Sequence, residues 1–110
     1  MVSAGTTTRT WGYNMNPNTV TLSVNDTLVL EWDGATSHNV YQSADVTAFT
    51  TCSPTGGAEI AATATSGSPA ITYDTPGTYY YICSVASHCN PLGMKLTVVV
   101  EALSPSTPPA

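Results

Sequence analysis

Charge is scarce in this chain of 110 residues. Two cations, Arg9 and Lys95, face seven carboxylates, which leaves a net charge of −5. Charged residues make up 8% of the sequence, against about a quarter in an average soluble protein. Nucleic-acid binding needs a basic surface that displaces counterions, and two cations cannot build one. The same shortage excludes attraction to an anionic membrane surface. Long apolar runs are missing as well. Leu96–Val100, interrupted by Thr97, falls far short of the roughly 20 residues a membrane helix requires, so direct membrane insertion is not expected. No segment sustains a 3.6-residue period, and there is no internal repeat. Residues 1–10 are polar and lack an apolar signal core, so any export signal is expected to have been removed already, with Met1 an expression start.

What the chain does hold is apolar and hydroxylated. Hydrophobic residues reach 42%, and 19 Thr and 11 Ser supply solubility in place of charge. A disordered chain has few apolar residues and a high net charge, so this one folds. Its length fits a single core, placed here at residues 1–103. Residues 104–110 hold three prolines and no large apolar side chain, and read as a Pro/Ser-rich tail that could continue into a stalk or lipid anchor.

Short alternating stretches dominate the rest. Val20, Leu22 and Val24 point one way while Thr19, Thr21 and Ser23 point the other, the pattern of a half-buried strand. Thr27–Trp32 is denser and reads as buried on both faces. Asn25-Asp26 between them is a turn pair, which predicts a hairpin. Further strands are expected at His38–Gln42, Ala70–Tyr73, Thr78–Cys83 and Met94–Glu101, with a strong turn at Asp74-Thr75-Pro76-Gly77. Ala44–Thr51 and Ala58–Thr65 are ambiguous, and each can hold a short helical turn. About seven short strands with regular turns predict an all-β, Greek-key β-sandwich with one or two helical turns. Trp11, Trp32 and the run Tyr79-Tyr80-Tyr81 are assigned to packing, with Tyr80 on the face opposite its two neighbours. Asn25-Asp26-Thr27 is an N-glycosylation sequon on the expected turn.

Three cysteines cannot all pair. In an oxidising compartment one disulfide forms and one thiol is left over, and the three pairings among Cys52, Cys83 and Cys89 remain open. The segment from Cys83 to Met94 gathers Cys, His and Met within twelve positions. Flanking strands make residues 84–93 a loop, with Cys83 and Met94 at its ends and His88 in its middle. The other histidine, His38, stands at the start of a separate candidate strand. One thiolate, two imidazoles and a thioether form the donor pattern of blue copper, a trigonal His2Cys site with a weak axial Met. Structural zinc prefers four strong Cys and His donors, which would leave no disulfide and would force adjacent His88 and Cys89 onto one ion.

These residues resemble the phytocyanins, small secreted plant-type blue copper proteins of cupredoxin fold. The likeness is carried by Leu22-Ser23-Val24-Asn25-Asp26-Thr27-Leu28-Val29-Leu30, by His38-Asn39-Val40, by Cys52, and by Cys83 through Lys95. It covers most of residues 10–101 in order. It implies copper ligands His38, Cys83, His88 and Met94, a Cys52–Cys89 disulfide, and a His88 ring with one edge towards solvent. Asn39 is implied to tie its strand to the Cys83 loop by hydrogen bonding. Five residues separate His88 from Met94 where the family usually has four, and Pro91 is expected to absorb the extra one in a bulge. The only glutamine, Gln42, lies away from the loop, and the resemblance implies a methionine at the axial position, as in plantacyanins and uclacyanins.

The function implied is single-electron transfer by one type 1 copper ion cycling between Cu(II) and Cu(I). The expected setting is a secreted monomer that meets a small-molecule or protein redox partner, with the acidic charge able to steer a cationic one. A copper enzyme needs further histidine ligands or an open coordination position, and this donor set supplies neither. The alternative from another class is a metal-free secreted structural or signalling module built on the same shell.

Overall fold

A computed structural model describes residues 5–102. Residues 1–4 and 103–110, and with them the expected tail and domain boundary, lie outside the described residues. Seven strands and one short helix follow in the order β1 (Thr6–Thr10), β2 (Thr19–Ser23), β3 (Thr27–Gln42), α1 (Val46–Thr50), β4 (Ala58–Gly67), β5 (Ala70–Thr72), β6 (Gly77–Ile82) and β7 (Lys95–Glu101). The all-β expectation therefore holds.

Alternation explains the strands that line the core. In β2, Val20 and Leu22 are buried between exposed or half-buried neighbours, and in β7 Leu96, Val98 and Val100 do the same. Each such side chain, fully buried, contributes roughly 1.5–3 kcal/mol. The first half of β3 also alternates: Leu28, Leu30 and Trp32 are buried, whereas Thr27 and Val29 are half-buried and Glu31 is exposed. Burial on both faces, expected from its density of apolar residues, does not occur.

Partner choice departs further from the local reading. The hairpin expected across Asn25-Asp26 is absent, because β2 pairs with β7 and β3 pairs with β1, both in parallel. The turn itself exists, with Asp26 N–H donating to the Ser23 carbonyl. It serves as a corner instead. The Asp26 carboxylate accepts from Gly5 and Ser23 N–H, and these bonds hold it below the usual carboxylate range. Tyr73 is stitched to the same corner through Asn25 and Asp26.

Strand β3 joins the whole set. Its sixteen residues pair with β1 and β5 at one end and with β4 and β6 at the other, and β6 continues antiparallel to β7. The separate strand expected at His38–Gln42 is thus the far half of β3. Of the two ambiguous segments, 44–51 supplies α1, capped by the Asp45 carboxylate on Ala48 N–H. The other, 58–65, is strand β4. Its last residue, Gly67, must be glycine, since a Cβ there would fall 2.5 Å from the Trp32 ring.

The aromatic assignments stand. Trp11 is buried and its indole N–H donates to the Asn39 carbonyl at 2.9 Å. Tyr81 is fully buried with its hydroxyl 2.7 Å from that of Tyr73, while Tyr80 packs on Phe49 of α1. Burial pushes the Tyr73 phenol up to about 12 and Tyr81 higher still. No helix among the described residues is long and apolar enough to cross a membrane.

Candidate metal centre

The four candidate ligands lie in the far half of β3, just after β6, in the loop that follows and just before β7. His38 sits in the far half of β3, where the register against β4 shifts on both sides of it. That irregularity breaks the two-residue period, so His38, Asn39 and Val40 are buried in succession. Cys83 follows the end of β6, and Met94 precedes the start of β7. Their backbones are joined by Cys83 N–H donating to the Met94 carbonyl at 3.1 Å. The loop between them turns at Ala86, whose φ of 44° lies in the left-handed region.

His88 N–H donates back to the Val85 carbonyl, and Met94 N–H donates to the His88 carbonyl at 2.9 Å. The five-residue spacer is thereby closed into a compact turn. Gly93, at φ 69°, supplies the left-handed residue that the turn needs.

His38, Cys83 and His88 converge: their donor atoms all lie within 4.8 Å of one another, and all three residues are buried. The two Nδ1 atoms are 3.1 Å apart, and Cys83 Sγ is 3.5 Å from His88 Nδ1. Met94 is fully buried and packs in the adjoining core. Cys52 and Cys89 form a disulfide, which leaves Cys83 free.

The electrostatics suit a cation. Burial and the neighbouring His88 hold His38 below its usual value, so its ring stays neutral and keeps a lone pair. Burial pushes the Cys83 thiol up, and hydrogen bonds from the Asn39 and Val85 backbones offset part of that. A bound metal ion supplies the missing positive charge and ionises such a thiol. Separations of 3.1 and 3.5 Å, with all three donors inside 4.8 Å, are short enough for the three side chains to share one ion. The residues fit a soft or borderline metal.

Asn39 holds the two halves of the site together. Its Oδ1 accepts from Ser84 N–H at 2.8 Å, and its Nδ2 donates to Ser84 Oγ at 2.9 Å and Thr63 Oγ1 at 3.1 Å. The tie implied by the resemblance is present. Asn39→Ala strips partners from a half-buried N–H and two hydroxyls, with an expected cost of about 1–3 kcal/mol. Urea unfolding of the metal-free protein measures it, and an unchanged midpoint would mean that water replaces these bonds.

Residues 6–94 match the plastocyanin-like domain family. The chain belongs to that family. This plastocyanin-like domain is 36% identical over 92 residues to a protein named blue copper protein from Petunia hybrida, a match covering 81% of this chain and 32% of that protein. It is 37% identical over 90 residues to blue copper protein 1a of Medicago truncatula, covering 79% and 53% respectively. The chain thus spans about a third to a half of these relatives. Among solved structures, it resembles spinach plantacyanin with a TM-score of 0.65 at 28% identity, over 87% of this chain and 99% of that one. Cucumber stellacyanin gives 0.62 at 26% identity, over 76% and 73%. The domain is a phytocyanin-type cupredoxin.

One residue at the site escaped the sequence reading. Tyr13 places its hydroxyl 3.2 Å from His88 Nε2, and His88 is only 7% exposed. The open ring edge implied by the resemblance is therefore covered by a phenol. No local pattern marks Tyr13, which stands in a loop rich in Gly, Asn and Pro.

Proposed function

We propose that this chain is a secreted, monomeric one-electron carrier holding a single type 1 copper ion. His38, Cys83, His88 and Met94 are the residues that would hold it. The observation that carries this reading is the convergence of one free thiol and two imidazoles in a buried pocket, while the other two cysteines are cross-linked. Family membership supports copper as the metal, and blue copper proteins are electron carriers.

When bound, copper supplies a one-electron Cu(II)/Cu(I) couple. The protein's part is to hold the donors still. Cys83 is fixed through its own N–H to the Met94 carbonyl, His88 by the closed loop, and His38 by the β3–β4 ladder beside Asn39. Donors fixed this way favour transfer over catalysis, because a catalytic metal keeps an open position for substrate. We therefore read the chain as a carrier and not an enzyme. The disulfide fits an oxidising compartment, which supports secretion. The redox partner is a small molecule or a protein, and the sparse charge leaves nucleic acid out.

Titrating the metal-free protein with Cu(II) tests this. An intense visible band should grow and saturate at one copper per chain. A colourless protein after addition would overturn the carrier reading in favour of a metal-free module.

A further inference from the structure

Tyr13 is the largest side chain at the site that serves neither the core nor the ligand set. It is 42% exposed, yet its position is closely defined. The buried Trp11, two residues earlier, is locked to Asn39. Immediately after it, Asn14 N–H donates to the Leu92 carbonyl at 2.7 Å and Met15 N–H to the Gly93 carbonyl at 3.3 Å. The segment is thus pinned at both ends against the two stretches that carry His38 and His88. Its ring meets both imidazoles edge-on, at 5.6 Å and 86° for His38 and 5.1 Å and 66° for His88.

The hydrogen-bonding logic follows from the imidazole. Both Nδ1 atoms face the site's interior. A neutral ring whose Nδ1 lone pair is given to a metal carries its proton on Nε2. His88 Nε2–H then donates to Tyr13 Oη, the atom 3.2 Å away. An acceptor there fixes the ring's tautomer and orientation and raises its basicity as a ligand.

Resting on the copper reading above, we propose that Tyr13 is a positioning residue for His88. Its hydroxyl holds the outer nitrogen, and its ring closes that edge from solvent. Electrons consequently leave the site past the phenol and not from a bare imidazole edge.

Tyr13→Phe and Tyr13→Ala separate the two roles. Both variants should fold, since Tyr13 lies outside the buried core, and circular dichroism checks it. Tyr13→Phe keeps the ring and loses the acceptor. Copper affinity, measured by competition with a chelator, is expected to fall about 10-fold. The reduction potential is expected to rise, because a less basic ligand favours Cu(II) less. Tyr13→Ala also removes the shield, so electron exchange with hexacyanoferrate should be faster than in Tyr13→Phe.

A parent protein that turns blue while Tyr13→Phe matches it in affinity and potential overturns the positioning role alone. Equal exchange rates in the two variants overturn the shielding role. If Tyr13→Ala does not fold, the Phe variant decides the positioning role and a bulky Tyr13→Leu takes its place in the exchange measurement. A parent that takes up no copper overturns this inference together with the reading beneath it.

Discussion

Cys83→Ser is expected to give a folded protein that stays colourless when Cu(II) is added. The thiolate is the one strongly covalent donor in the proposed set, and its charge transfer to Cu(II) gives the visible band. A serine oxygen is hard and stays protonated at neutral pH, so it replaces neither the soft donor nor the negative charge. Removing Cys83 leaves the two imidazoles His38 and His88 and a buried thioether, a set that binds copper weakly and without the colour. The fold should survive. Cys83 N–H still bonds the Met94 carbonyl, and a serine hydroxyl can donate to His88 Nδ1, now 3.5 Å from Sγ. Absorption spectra with a copper count on dialysed protein check the first part, and circular dichroism the second. A variant that remained blue would place the sulfur donor elsewhere and end the ligand assignment we propose.

The site was more legible than the fold around it, for physical reasons. Cys83, His88 and Met94 lie within twelve positions between two strands, so chain connectivity alone keeps them close. The chain has only two histidines and three cysteines, so each had to be given a role. His38 is different. It reaches the site from a distant strand through register shifts that no period-two pattern reveals, and only the count of donors, followed by the family likeness, pointed to it.

Strands β2 and β7 could be read because one face of each is apolar, and alternation records faces. It does not record partners. That is why β2 and β3 looked like a hairpin when each pairs elsewhere. It is also why β1 went unread: Thr6-Thr7-Thr8-Arg9-Thr10 has no apolar face, and its place is set by the parallel ladder to β3. Tyr13 shares that fate, since what gives it meaning is the loop of residues 92–93 on which its own segment docks.

Replacing both Cys52 and Cys89 by alanine is expected to lower stability by about 4 kcal/mol while leaving the copper colour in place. The bridge joins residues 37 apart, and closing a loop of that length in the unfolded chain accounts for about 4 kcal/mol on the chain-entropy estimate. A domain of this size has only about 5–15 kcal/mol in total. At about 4–8 °C per kcal/mol, the melting temperature should drop by roughly 15–30 °C. The native loop has other supports. Leu92 N–H to Ser87, Gly93 N–H to Cys89, Met94 N–H to His88 and His88 N–H to Val85 are all main-chain bonds that alanine preserves. The two contributions separate in one comparison. If the bridge acts on the unfolded chain, the metal-free and copper-loaded forms lose the same stability and copper affinity is unchanged. If it also holds His88 in place, affinity falls and the copper-loaded form loses more. Four main-chain bonds within residues 85–94 favour the first outcome. Urea unfolding of both forms, with chelator competition on the folded variant, distinguishes them, and a stability loss under about 1 kcal/mol would contradict the loop-entropy account.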